Sequence, residues 1–556
     1  AKAPKEFPAA AKAFTIPANS KAKILLDQGV LTNAYPVLKF SKGKDANIII
    51  GYAETLYVPA VPTPAGAAAG GGRGPQMTKG NRNDIQGKRF VGFKDQITSG
   101  GKDNEEYTSL WYRTYRYVQF EITTKEEPLT INDFYGVFTG YPFELKSKFN
   151  AGNPELDKIL EVGYRTARLC AMDTYMDCPY YERLQYVGDA RIQAMVSLYN
   201  TGDDRLMRQL ISAIDHSRNA EGVTFSRYPD NLSQYIPMFS LWWIGILHDY
   251  WWYRPDANFV KETLPGMRQV LNYFSGFQKP DGSIEGLPGW KFTDWSTGWA
   301  SGTPPLTSNG NSSVLDLQLL GAYQAAADLE NAVGLKDMGK QYQEKADQLR
   351  ATIKSKYWSA EKGLFADDVK KEMYSQHANV LAVLNDVIKG DEANKVMGTV
   401  LKDNTLTQAT IYFKYYLHLA ANKTGYGDQY LDWLGLWKDH LSAGLSTWGE
   451  VTDANTTRSD SHAWGSSPNI EFYRIVLGID SDAPGFSKVK IEPHLGQLKK
   501  VSGEMPHPNG KVTASYTLEK NNTWTTEINL PNRTTGYLMW KGKRYELNAG
   551  KNSLKL

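Results

Sequence analysis

Residues 173–189, DTYMDCPYYERLQYVGD, place four carboxylates (Asp173, Asp177, Glu182, Asp189), four tyrosines and Arg183 in seventeen positions. A solvated loop has no need of so many rings, and a core helix would not carry so many charges. Carboxyl groups among aromatic walls suit acid–base chemistry on a sugar: an apolar surround raises one carboxyl so that it holds a proton, while a solvated or hydrogen-bonded one stays ionised. Glu182 is the best candidate for the proton carrier. Arg183, a positive neighbour, would lower that carboxyl rather than raise it, so it is expected to pair with another carboxylate.

Two further clusters carry the same kinds of residue. Residues 445–468, LSTWGEVTDANTTRSDSHAWGSSP, hold Glu450, Asp453, Asp460 and His462 just before the last helical pattern. They are the best source of a second carboxylate, with Glu450 ahead of Asp460 because the base must reach its water. Residues 290–299, WKFTDWSTGW, set three tryptophans and Asp294 in a loop bounded by Gly and Pro, which reads as a stacking wall with a hydroxyl acceptor. The Trp242-Trp243 pair is expected in a helix core. There is no P-loop, no dinucleotide fingerprint, no HExxH and no GxSxG in a nucleophile context.

The elements that must position these clusters follow from periodicity. Residues 1–148 are dense in short β-branched and aromatic runs separated by turn residues, as in a β-sandwich, with a Pro/Ala/Gly insert at 59–75 expected to be a mobile surface loop. At Asn153-Pro154, an N-cap followed by a first-turn proline, the pattern turns helical. About a dozen helical stretches run from there to residue 480, including 188–200, 204–217, 237–253, 258–277, 312–332, 336–357, 374–388, 426–441 and 466–477. Twelve helices in one unit suggest six hairpins closed into a barrel. Residues 481–556 alternate apolar and polar again and predict a small C-terminal β-sandwich, with Trp524 and Trp540 in its core or at a domain interface.

Composition narrows the partners. With 63 basic and 60 acidic residues the net charge is +3, no field for nucleic acid or an anionic membrane. The longest nearly uncharged apolar run, residues 235–247, is too short to span a bilayer. Cys170 and Cys178 are expected to be buried free thiols; no metal site and no cofactor are expected. The opening AKAPKEFPAA shows no signal-peptide pattern, so location has to be argued from function.

The 173–189 segment resembles the signature of the α-L-rhamnosidases of glycoside hydrolase family 78: Asp177-Cys178-Pro179, then Glu182, Arg183-Leu184, the aromatic Tyr186, and Gly188-Asp189. The arginine often found between Pro and Glu is absent, and Tyr186 stands where Trp is commoner. The resemblance extends to FTDW at 292–295 and to STWGE at 446–450 with the downstream SHAW. It implies an (α/α)6 barrel between two antiparallel β-sandwiches and inverting release of a terminal α-L-rhamnose from a carbohydrate. Glu182 would be the general acid and Glu450 the general base. Asp177, Tyr186, Asp189, Asp294, Trp295, Trp299 and His462 would hold the sugar, although Asp189 could equally cap its helix. A glycan substrate favours a periplasmic or extracellular location. Hydrolysis of a different or charged sugar, or sugar binding without catalysis, are the alternatives.

Overall fold

The computed structural model describes residues 7–8, 12–59 and 78–556; most of the Pro/Ala/Gly insert lies outside the described residues. A seven-stranded antiparallel sheet occupies residues 14–138. Its spine is the 22-residue strand Lys21–Lys42, which pairs first with Arg113–Thr123 and then with Leu129–Phe138 and Glu105–Thr108. Alternation drives the burial: Ile48, Ile50 and Tyr52 in Asn47–Ala53 are wholly buried, as period-two strands require. Between Asp27 and Thr32 the register slips in a bulge, and the Leu31 amide there donates to Ser446 Oγ at 2.9 Å. The sheet thus touches the loop that carries Glu450. At the end of this region Lys148–Asn150 leaves the sheet and pairs with Lys500–His507 of the C-terminal sheet.

Helix Pro154–Leu169 starts as its sequence demands. Asn153 Oδ1 accepts from the Glu155 amide, and proline fills the first turn, where its missing donor costs nothing. From here the helices alternate in character. Val187–Asn200, Pro237–Tyr253, Ser313–Val333 and Gln376–Leu384 are buried on nearly every side. Arg205–His216, Ala257–Ser275, Lys336–Tyr357 and Gly390–Val400 bury one face and leave the other to solvent. A helix apolar all round needs neighbours on all sides, whereas an amphipathic one can close the outside. The series ends irregularly: 427–434 is a 3-10 segment continued by helix Gly435–Ser442, and the stretch expected at 466–477 divides into Pro468–Glu471 and a π-turn at Phe472–Val476.

The C-terminal residues supply four strands of a five-stranded sheet, which Lys148–Asn150 completes, and all of a four-stranded one. Trp524 on the first and Trp540 on the second meet edge to face at 5.6 Å. None of the helices among the described residues is long and apolar enough to cross a membrane.

Candidate active site

The 173–189 segment is a loop folded on itself and pinned from both sides. Asp177 ties its neck: its amide donates to Leu184 O at 2.9 Å, and its Oδ1 accepts from the Leu184 amide at 2.9 Å. From below, Gln193 on the buried helix Val187–Asn200 donates to Met176 O at 2.8 Å. From the N-terminal sheet, Thr114 Oγ1 donates to Pro179 O at 2.8 Å and Tyr180 donates to Tyr52 O at 3.0 Å. Arg183 adopts φ +60°, a conformation uncommon outside glycine, and its guanidinium turns back to Pro179 O and over the Tyr112 ring. The expected Arg183–carboxylate pair does not form, because that backbone turn sends the side chain away from the acids. Gly188 is required by space: a Cβ there would lie 2.7 Å from Phe239 Cζ and 2.9 Å from the Tyr412 hydroxyl.

The second loop, 447–462, is a narrow return in which the Glu450 amide donates to Ser459 O (3.1 Å) and the His462 amide to Trp448 O (2.8 Å). Trp464 Nε1 donates to Glu450 O at 2.9 Å and holds that residue's backbone from behind. Gly449 permits this closeness, since a Cβ would meet Thr457 Oγ1 at 2.9 Å.

Both loops open onto one cavity of about 1470 Å³, lined among others by Asp177, Glu182, Tyr186, Asp189, Trp295, Glu450 and His462. Trp290, Phe292 and Trp295 pack at centroid distances of 4.9 to 6.0 Å and make its apolar wall. On the floor, His462 Nε2 lies 2.8 Å from Asp189 Oδ1, and its ring packs at a tilt against Trp464, 4.2 Å between centres. On the wall, Arg458 Nη1 donates to Glu182 Oε1 at 2.7 Å, and its guanidinium sits 4.7 Å from the Tyr181 ring centre. Arg227 donates to the Tyr186 hydroxyl and is itself paired with Asp230.

Charge is distributed unevenly over the carboxyl groups. Burial pushes Asp177 well above the ordinary carboxylate range, with the charges of Glu182 and Asp189 adding to it. Burial also favours a protonated Glu182, but hydrogen bonds from Arg458 and Asp177 outweigh it and the net shift is downward. The proton therefore resides on Asp177, and Glu182 is the ionised partner, the reverse of what an apolar surround alone predicts. His462 is opposed by burial yet raised to about 9 by Asp189, Glu450 and Asp177, and it stays an imidazolium. Asp177, Cys178 and His462 bring ligand atoms within 4.8 Å of one another. Two of them are already committed: Cys178 donates to Asp177 Oδ2 at 2.9 Å, and His462 pairs with Asp189.

A family model for the bacterial α-L-rhamnosidase six-hairpin glycosidase domain matches residues 144–476, more than half of the chain, and one for the bacterial α-L-rhamnosidase C-terminal domain matches residues 478–555. The chain belongs to the bacterial α-L-rhamnosidase family. An α-L-rhamnosidase of Alteromonas sp. (strain LOR) is 20% identical over 539 residues, covering 90% of this chain and 54% of that protein. The family 78 rhamnosidase of Bacillus sp. GL1 superposes with a TM-score of 0.78 at 21% identity, over 91% of this chain and 52% of its own. The Streptomyces avermitilis α-L-rhamnosidase in complex with L-rhamnose gives 0.72 at 15% identity, over 98% and 53%. The chain thus spans about half the length of these relatives.

Within this rhamnosidase fold, seven of the nine residues singled out in the sequence line the cavity: Glu182, Glu450, Asp177, Tyr186, Asp189, Trp295 and His462. Asp294 and Trp299 do not. Asp294 is wholly buried, accepts from the Thr410 amide at 2.8 Å and from the Thr410 hydroxyl, and lies 2.7 Å from His377 Nε2. It ties the 404–410 rim to the helix that begins at Gln376. Trp299 packs against His377 at 4.4 Å. Asp460, the alternative base, points away from the cavity into a buried ion pair with Lys79 and Arg82. Asp189 is inside the first turn of its helix, whose cap position is Tyr186, so it is not the N-cap. Cys170 and Cys178 are both free and buried. Arg227 and Arg458 were not singled out; no local pattern in RYPD or TTRSD distinguishes them from surface arginines.

Proposed function

We propose that this chain hydrolyses terminal α-L-rhamnosides with inversion, Glu182 acting as general acid and Glu450 as general base. The observation that carries the reading is the meeting of these two carboxylates, from loops far apart in sequence, on one cavity with an imidazolium–carboxylate floor and an aromatic wall. Inversion needs an acid on the leaving oxygen and a base behind a water on the opposite sugar face, about 6.5–9.5 Å apart. Glu182 protonates the glycosidic oxygen as the C–O bond breaks, and Glu450 takes a proton from the water that attacks the anomeric carbon. Asp189 accepts sugar hydroxyls, which a carboxylate does well because each oxygen can serve a separate donor, and Asp177, carrying its proton, meets a hydroxyl beside it. His462 donates to the sugar, and Tyr186 and Trp295 face its apolar side. The relatives whose structures hold rhamnose support the choice of sugar.

The alternation of buried and amphipathic helices supports six hairpins closed as an (α/α)6 barrel over residues 149–480, with β-sandwiches at 1–148 and 481–556. A glycan substrate favours a periplasmic or extracellular location. Hydrolysis of an aryl α-L-rhamnoside beside a panel of other aryl glycosides, followed by NMR, tests the activity: β-L-rhamnose must appear first. Initial release of the α-anomer rejects inversion, and turnover of another sugar alone rejects the specificity.

A further inference from the structure

A general acid held ionised by an arginine is in the wrong state for its task, and the geometry here says how it leaves that state. Arg458 touches Glu182 at 2.7 Å, yet its side chain is 44% exposed to the cavity and that of Glu182 32%. Its backbone is fixed: Arg458 O accepts from the buried Lys79 Nζ at 2.8 Å. The guanidinium can therefore turn toward a ligand while the loop stays in place. Glu182 must reach the glycosidic oxygen, so a group that meets Arg458 beside it belongs to the leaving part of the substrate and not to the rhamnose. The other cavity arginine, Arg227, is occupied by Asp230 and Tyr186.

Resting on the activity proposed above, we propose that the leaving group is an acidic sugar, and that its carboxylate takes Arg458 from Glu182. A planar guanidinium binds a carboxylate through two parallel hydrogen bonds, a better match than the single contact it makes to Glu182. Released from Arg458, Glu182 faces Asp177, His462 and Tyr186. The proton held on Asp177 moves to Glu182, then to the glycosidic oxygen as its bond to the anomeric carbon breaks. The water that forms the new bond gives its proton to Glu450, so the reaction starts and ends with the same proton count. A neutral leaving group leaves Arg458 on Glu182 and the acid uncharged only rarely. The uronate is thus recognised by the reaction itself and not merely by binding.

The test compares a rhamnosyl disaccharide ending in a uronate with the same disaccharide whose carboxyl has been reduced to an alcohol, on wild type, Arg458→Gln and Arg458→Lys. Wild type should prefer the uronate by about tenfold or more in kcat/KM, the size of one charge-assisted contact, with part of the difference in kcat. Arg458→Gln should bring the ratio near one, and Arg458→Lys should restore part of it. On the neutral substrate the alkaline limb of the pH profile should move up in Arg458→Gln, because Glu182 has lost its cation. A ratio near one in wild type, or one that survives Arg458→Gln, overturns the proposal while leaving rhamnoside hydrolysis standing. If neither disaccharide is hydrolysed, the activity reading fails, and equilibrium binding of the two to wild type and Arg458→Gln still decides: preferential binding of the uronate that the variant loses supports the role of Arg458, and equal binding overturns it.

Discussion

Two groups of acids, one sealed and one open to the cavity, lie within one loop of each other and have opposite characters. Asp460 receives Lys79 Nζ at 2.9 Å and Arg82 Nη2 at 2.8 Å, and its amide donates to Glu54 Oε2 at 3.1 Å. Burial opposes ionisation of Asp460, but the two cations hold it far below the usual range; Glu54 is pushed by burial up to about 8. The cavity group shows the same split, with Asp177 raised and Glu182 lowered. Perturbed acidity therefore does not distinguish a working acid from a structural one. Access does. Asp460 has its partners on the far side of the loop, where Lys79 and Arg82 clamp the N-terminal region to the 447–462 loop, whereas Glu182 and Glu450 face an open cavity.

Substitution of the cavity acids gives the largest expected effect and the sharpest contrast. Glu182→Gln should lose about 10²–10⁴ in kcat on a poor leaving group, the usual worth of general acid catalysis, and less on an aryl group that departs unaided. Glu450→Gln should lose a similar factor on both substrates, since the water needs its base whatever leaves. Each variant should unfold at nearly the wild-type temperature. Loss of fold in either, or retention of full turnover, would move that residue into the structural group.

Asp460→Ala reverses the pattern. It strands Lys79 and Arg82 without their anion, and breaking a buried pair from one side costs about 3–5 kcal/mol. Denaturant titration should show that loss, with kcat per folded molecule within a few-fold of wild type. A collapse of kcat at undiminished stability would make Asp460 the base and exclude Glu450.

Asp294→Ala belongs between the two groups. Its carboxylate holds the Thr410 amide and His377, so its removal loosens the cavity rim at residues 404–410 without touching the sugar. KM should rise by about tenfold, more than kcat falls, as when a binding surface loses its order. An unchanged KM with a large drop in kcat would return Asp294 to the sugar contacts expected from its place beside Trp295.

That expectation shows where local sequence stops being informative. The 173–189 and 445–468 clusters were legible because residue type and spacing carry the chemistry, and Asn153-Pro154 because capping is a short-range effect. Asp294 lies against a buried histidine and not on the cavity, and an aspartate among tryptophans looks the same in either setting. Arg458, Lys79 and Arg82 were not singled out because their partners lie 276 to 381 residues away in the chain. Helices Gly390–Val400 and Lys414–Lys423 were not named individually; both are short and give periodicity little length to register. The 22-residue strand Lys21–Lys42 does not show as one element in the sequence, since its bulge breaks the alternation.

The smallest effect concerns the floor of the cavity. His462 is faced by Asp189, Glu450 and Asp177, and these raise it to about 9 against the opposing effect of burial. A histidine whose folded value exceeds its unfolded one, about 6.5, stabilises the fold fully below that value and loses the contribution as pH rises toward 9. The buried, raised Asp177 and Asp189 also favour the more protonated fold, so wild-type stability alone does not isolate the histidine. The difference between wild type and His462→Gln does. The unfolding midpoint of wild type should exceed that of the variant at pH 6, and the gap should close between pH 6.5 and 9. In the Asp460→Ala background His462→Gln should open the same gap at pH 6 and close it over the same range, because Asp460 lies in the other group and its loss leaves the imidazolium with its three acids. A gap that is constant with pH would mean that His462 is neutral in the fold, and the contrast between a charged cavity floor and a neutralised structural clamp would fail at that residue.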